Sequence, residues 1–229
     1  MISFLVGLLM MMLGASALPP ASSASTSSNW SGYGQPRGSY QYVGAEWTVP
    51  VLDCAVTPGG VVSVWVGVNG WGDHPGLFQD GTSSYCVNGQ QGNITWWTDE
   101  AKGYAGQEVF PVTTGDVVYA RVWEEASGHW AYSVRDLTTG QSSSLPESSS
   151  LYGSAATAEW IVEDPVNMNT NKPCRLADFG TVHFSHGQYT ATRRQPKAEA
   201  IKMIIRSSGM PQAVPSVVKG GSWDVSYEG

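Results

Sequence analysis

The chain has 229 residues, of which only 14% are charged, with a formal net charge of −7 and a pI near 5.0. Its 41% hydrophobic content argues against disorder, and the excess of acid disfavours nucleic acid or an anionic membrane as partner. The 27 glycines, 10 tryptophans and 10 tyrosines suit a turn-rich β protein with wide aromatic surfaces.

Met1 to Ala17 is an apolar run ending in Ala15-Ser16-Ala17, which fits a secretory signal peptide cleaved after Ala17, although no Lys or Arg precedes the run. It is shorter than the roughly 20 apolar residues needed to span a bilayer. Secretion is therefore the expectation, with 18–27 as a flexible Pro-, Ala- and Ser-rich leader and 28–229 as one folded domain.

The folded part begins at Ser28-Asn29-Trp30-Ser31-Gly32-Tyr33. Strands are predicted at Val43 to Pro50, at Val61 to Val68 (the most apolar and most central), at Leu77 to Gly81 and at Asn93 to Thr98, with a turn at Gln90 to Gly92. Gly115 to Trp123 and His129 to Asp136 read as a hairpin closed at Ser127-Gly128, and Ser142 to Ser150 as a low-complexity loop. Ala158-Glu159-Trp160-Ile161-Val162-Glu163-Asp164 is a strand with Glu159, Ile161 and Glu163 on one face. Further strands are expected at Leu176 to Phe184, Ile201 to Ile205 and Ser222 to Tyr227. Short strands at regular spacing, with almost no helical periodicity, mean an all-β sandwich or barrel.

Three cysteines allow one internal disulfide. Cys54 and Cys86 flank the central strand and its turn and are expected to pair, leaving Cys174 free. Asn29-Trp30-Ser31 and Asn93-Ile94-Thr95 are glycosylation sequons, meaningful in a eukaryotic secretory host. The four histidines have no metal-ligand spacing, so no metal or cofactor is expected. No G-x-S-x-G, H-E-x-x-H, P-loop, Asp-Thr-Gly or Asp-Ser-Gly occurs, so carboxylates, amides and aromatics must carry any chemistry. An ionised carboxylate can activate water, and a glutamine amide can hold it and stabilise an oxyanion without ever titrating. Gln79, after a Gly-rich turn, is a candidate for the amide.

Ser28 to Gly32, Trp47-Thr48-Val49-Pro50, Trp65-Val66-Gly67-Val68, Leu77-Phe78-Gln79-Asp80-Gly81, Leu137-Thr138-Thr139-Gly140-Gln141, Ala158 to Asp164 and Ala177-Asp178-Phe179-Gly180-Thr181-Val182 occur in that order. Together they resemble the glutamic peptidases (eqolisins), acid-acting secreted endopeptidases. The resemblance implies a concanavalin-like antiparallel β-sandwich, a protein or peptide substrate, and a catalytic Gln and Glu. Those carry over to Gln79 and Glu163, with Glu159 as competitor or supporting acid and Trp30 and Trp96 lining the cleft. A monomer is expected. Three departures stand out: Thr98, followed by Asp99, replaces a family acid; Asp80 puts an acid beside Gln79; and only Leu18 to Ser27 is available as a propeptide. A β-sandwich glycoside hydrolase and a lectin-like carbohydrate-binding module are the alternatives.

Overall fold

The computed structural model describes residues 14–150, 155–167, 170, 172–193, 198–204 and 208–229. Most of the expected signal peptide, and Ile205 of the predicted tail strand, lie outside these residues. The described chain is built almost wholly of strands, with one short 3-10 turn at Glu100–Lys102. The hydrogen-bond order is a continuous ribbon that folds back on itself. One layer carries Ser142–Ser150, His129–Asp136, Val117–Ala126, Ser39–Thr48, Thr181–Arg193 and Trp223–Tyr227. Pro211–Pro215 leads into the other, which runs Ala198–Ile204, Trp30–Gln35, Ala158–Glu163, Val61–Val68, Phe78–Val87, Gln90–Asp99 and Tyr104–Pro111.

The main core fills the space between the layers. Val62, Val64, Val66 and Val68 point into it from one strand, and Val118, Ala120 and Val122 from the other layer. Aromatic residues tie the layers together. The Trp47 indole N–H donates to Thr82 Oγ1 at 2.9 Å, the Trp160 indole N–H to the Gly44 carbonyl at 3.1 Å, and Trp97 stacks on Tyr132 with centroids 5.1 Å apart. Burying each such ring removes a large apolar area from water, so the sandwich needs no helical layer.

The predicted sandwich and its central strands agree with the structure, and several details differ. The turn expected at Gln90 to Gly92 lies instead at Asn88-Gly89, where φ is 51° and 75°. Two successive positive φ angles are what a tight hairpin requires, and Asn-Gly supplies them at least cost. Ser142–Ser150, read as a loop, pairs with His129–Asp136 at the sheet edge. Its serines carry no apolar alternation, but an edge strand is held by backbone hydrogen bonds alone. Residues 18–27 also differ from the flexible leader expected. Ala21–Ser27 is a strand running parallel to Ala198–Ile204, and Leu18 is buried in the core. The alanines and serines are small enough to lie against that sheet edge, and Leu18 supplies an apolar anchor. Cys54 and Cys86 form the expected disulfide, with Cα atoms 5.5 Å apart, and Cys174 is free.

Candidate active site

The site lies on the outer face of the second layer. Strand alternation puts the valines of Val61–Val68 in the core and leaves Ser63, Trp65 and Gly67 on the opposite face. Register then sets three parallel rows across neighbouring strands. One row runs Glu159, Gly67, Gln79, Thr98; the next Ile161, Trp65, Gly81, Trp96; the third Glu163, Ser63, Ser83, Ile94. Trp65, Leu77, Trp96, Ile161 and Ile201 form a second apolar cluster on this face, joined by Trp30, Trp71 and Ile94.

Over these rows opens a cleft of about 590 Å³ whose lining includes Gln79, Trp96, Thr98, Glu100, Glu108 and Glu163. Gln79 and Glu163 thus share one cleft while standing two rows apart. Four residues of strand span ~13 Å and two strand spacings ~10 Å, so the two side chains act on each other through whatever occupies the cleft. Trp65, in the middle row between them, is fully buried and packs with Trp96, Ile161 and Trp30. Its indole N–H donates to Glu163 Oε2 at 2.7 Å, and its ring edge reaches Gly67 beside Gln79. A Cβ on Gly67 would stand 2.9 Å from Gln79 Cβ and 3.1 Å from the Trp65 ring, so only glycine fits there without a shift.

The Glu163 carboxyl is held by two donors, Trp65 on Oε2 and the Asn29 amide on Oε1 at 3.1 Å. Trp30 packs edge-on against Trp65 at 5.1 Å, and its indole N–H faces the same carboxyl without reaching ordinary hydrogen-bond geometry. Burial pushes the Glu163 pKa up to about 7; the Trp30, Trp65 and Asn29 donors pull it down, and neighbouring Asp164 pushes it up. Burial outweighs the donors, so this carboxyl titrates near neutrality and far above the ordinary glutamate range.

Gln79 is 7% exposed, and its Oε1 has no hydrogen-bond partner among the described residues. Thr98, beside it in the row, has an equally unpartnered hydroxyl and is 8% exposed. Both are polar groups aimed into a cleft with their capacity unspent. Glu159 occupies the same row across Gly67 but is 0% exposed and is not part of the cleft wall. Burial raises its pKa well above the usual value, with Thr157 acting in the opposite direction, so burial favours its protonated form.

A family model, the Peptidase A4 family, matches residues 28–227. The chain belongs to that family. It is a glutamic-type peptidase, and the carbohydrate-directed alternatives fall away. Scytalido-glutamic peptidase bound to a transition state analog inhibitor superposes with a TM-score of 0.74 at 23% identity, over 88% of this chain and 98% of that one. SCP-B, a member of the eqolisin family in complex with the tripeptide Ala-Ile-His, gives 0.71 at 23% identity over 88% and 98%. Aspergilloglutamic peptidase from Aspergillus niger gives 0.63 at 27% identity, over 74% of this chain and 99% of that one. No curated protein sequence matches.

The structure also places the residues of the three departures from the family pattern. Asp80 puts no charge beside Gln79: its side chain points to the opposite face, is 0% exposed, and burial raises its pKa well above the usual value. Asp99 does not stand in for an acid at 98, because its carboxylate caps the 3-10 turn by accepting the Lys102 N–H at 3.2 Å. Besides Glu163, the acids that reach the cleft are Glu100 and Glu108. Residues 18–27 are a fixed part of the sheet.

Of the expected substrate-binding tryptophans, Trp96 lines the cleft and Trp30 stands behind Trp65. Trp65 and Asn29 were missed as functional residues. For Trp65 a signal exists in the sequence: Ser63, Trp65 and Gly67 alternate with four valines, a face unlike a core face. For Asn29 the only signal was a sequon, and its amide is committed to Glu163. Asn93 is likewise committed, to Val112 and Thr114.

Proposed function

We propose that the protein is a secreted endopeptidase that hydrolyses peptide bonds with a water activated by Glu163 and an oxyanion held by Gln79. The observation that carries this reading is that both side chains open into one cleft, with buried Trp65 holding Glu163 from the row between them. Ionised Glu163 takes a proton from water, and the water oxygen attacks the scissile carbonyl carbon. The Gln79 amide N–H donates to the oxygen as it gains charge. The protonated Glu163 then passes its proton to the departing amine as the carbon–nitrogen bond breaks.

A peptide suits the cleft, as solved relatives were crystallised with a tripeptide or a peptide-based transition state analog. Trp96, Ile94, Tyr85 and Tyr104 give apolar walls to side chains, while Glu100 and Glu108 add acid. The buried acids Asp80 and Glu159 favour a fold that persists on the acid side of neutrality, and the reaction draws on the ionised fraction of Glu163, whose pKa of about 7 sets the acid limb of activity. Secretion is supported by the apolar N-terminus ending in Ala-Ser-Ala and by the Cys54–Cys86 disulfide. The acidic balance of −7 supports a protein that works as a monomer on peptides and not on polyanions.

The test is incubation with a denatured protein between pH 3 and 8, followed by mass spectrometry of the products. Internal cleavage by the parent and none by Glu163→Gln is the expected result. Trimming from the ends only, or undiminished cleavage by Glu163→Gln, would refute it.

A further inference from the structure

The N-terminal strand ends two residues before Asn29, whose amide holds Glu163. Ala21–Ser27 pairs in parallel with Ala198–Ile204, with Ser27 opposite Met203. Farther upstream the Leu18 N–H donates to the Gly187 carbonyl at 2.8 Å. The segment is therefore fastened at both ends. At its last residue the Ser27 hydroxyl oxygen accepts the backbone N–H of Asn29 at 3.3 Å and of Trp30 at 3.1 Å. A hydroxyl has two acceptor lone pairs and one proton. Two N–H groups fill the acceptor side, so the proton must be donated, and it goes to Asn29 Oδ1 at 3.2 Å. That choice fixes the amide: with Oδ1 taken by Ser27, Nδ2 faces Glu163 Oε1 at 3.1 Å.

We propose that Asn29, held by Ser27 of the N-terminal strand, is a positioning residue that keeps the Glu163 carboxyl oriented and ready to accept a proton. Ser27 lies just before the residues matched by the family model, 28–227, and through Asn29 it joins the segment expected as a flexible leader to the site. The inference rests on the reading of Glu163 as the base. An amide donor favours the charged carboxylate, as the Trp65 and Trp30 indole N–H groups also do. The titratable groups around Glu163 are Asp164, next in the chain, and the cleft acids Glu100 and Glu108. All are acidic, so no cation of the cleft lining can replace the lost donor.

The full-length protein is assayed on a synthetic peptide, with kcat and KM read separately across pH. Ser27→Ala and Asn29→Ala are expected to lower kcat about 10-fold or more, a part of what a general base contributes, with KM held within about twofold. Their acid limb shifts to higher pH because Glu163 loses a donor. Ser27→Thr, which restores a hydroxyl, keeps kcat and the acid limb near the parent values. If the alanine variants do not fold, Asn29→Asp preserves the shape and must still move the acid limb upward. A folded Ser27→Ala or Asn29→Asp variant with parental kcat and acid limb would overturn the proposal while leaving Glu163 as base. Undiminished turnover by Glu163→Gln would instead overturn the reading on which the proposal rests.

Discussion

The Trp65 indole N–H donates to Glu163 Oε2 at 2.7 Å from the buried row between the two candidate residues, while the far edge of the same ring lies over Gly67 next to Gln79. One rigid side chain therefore ties the acid to the Gly67 position beside which Gln79 sits. Trp65→Phe keeps the apolar plate and removes the donor. Hydrogen bonds to charged groups contribute about 1.5–3 kcal/mol, so the ionised form of Glu163 becomes harder to reach. The acid limb of the kcat profile should move to higher pH, with thermal stability nearly unchanged. A pH–rate series on Trp65→Phe beside the parent protein checks this; a profile that does not move means that the hydrogen bond does not tune the acid.

The buried carboxyls predict an acid-stable, base-labile fold. Burial raises Asp80 and Glu159 well above 3.8 and 4.5, and takes Glu163 and Asp164 to about 7. In the unfolded chain these groups ionise near 4, so between pH 4 and 7 the unfolded state binds fewer protons than the folded one. Stability then falls as pH rises, by up to about 1.4 kcal/mol per pH unit for each group still neutral in the fold. Melting temperature should drop steadily from pH 4 to pH 7. Asp80→Asn should flatten that slope, since an amide has no proton to lose. A melting temperature that climbs over this range would contradict the burial of neutral acids.

Much of this fold was legible because alternation is easy to read where strands are two-faced. Val61 to Val68 and Ala158 to Asp164 carry their faces in their residue order, and the Cys54–Cys86 pair follows from what it brackets. Ser142–Ser150 and Ala21–Ser27 carry no such pattern. Their strand character comes from an edge offering backbone partners, which only the folded neighbours reveal. The candidate site was legible at Gln79 and Glu163 through ordered motifs. The link from Ser27 through Asn29 to Glu163 spans a separation of 134 residues at its last step, so no local pattern could announce it.

Gly67 is the narrowest point of the design. It stands between Glu159 and Gln79 in one row, and an added methyl would press on both Gln79 and Trp65. Gly67→Ala should displace the amide and lower kcat by about 10²-fold, the lower end of what losing one oxyanion donor costs. KM should change much less, because the aromatic walls are untouched. Wild-type turnover in a folded Gly67→Ala protein would show that Gln79 has room to adjust and that its placement is not critical.

The two glutamates of Ala158–Glu163 share a face yet should part company in experiment. Glu163 opens into the cleft, is held by Trp65 and Asn29, and titrates near neutrality. Glu159 is sealed beneath the row it shares with Gln79, and neither carboxyl oxygen has a hydrogen-bond partner among the described residues. Glu163→Gln keeps the shape but removes the proton acceptor, so turnover should fall by about 10²–10⁴-fold or more while peptide binding persists. Glu159→Gln removes only a group that must stay protonated to remain buried. It should retain most of the turnover, and it should melt higher than the parent at pH 7, where the parent pays for keeping that acid neutral. Stopped hydrolysis in both variants at matched stability would make Glu159 a participant in the chemistry. Hydrolysis surviving in Glu163→Gln and lost in Glu159→Gln would move the base by two rows of the sheet, into the row of Gln79 on the far side of Gly67.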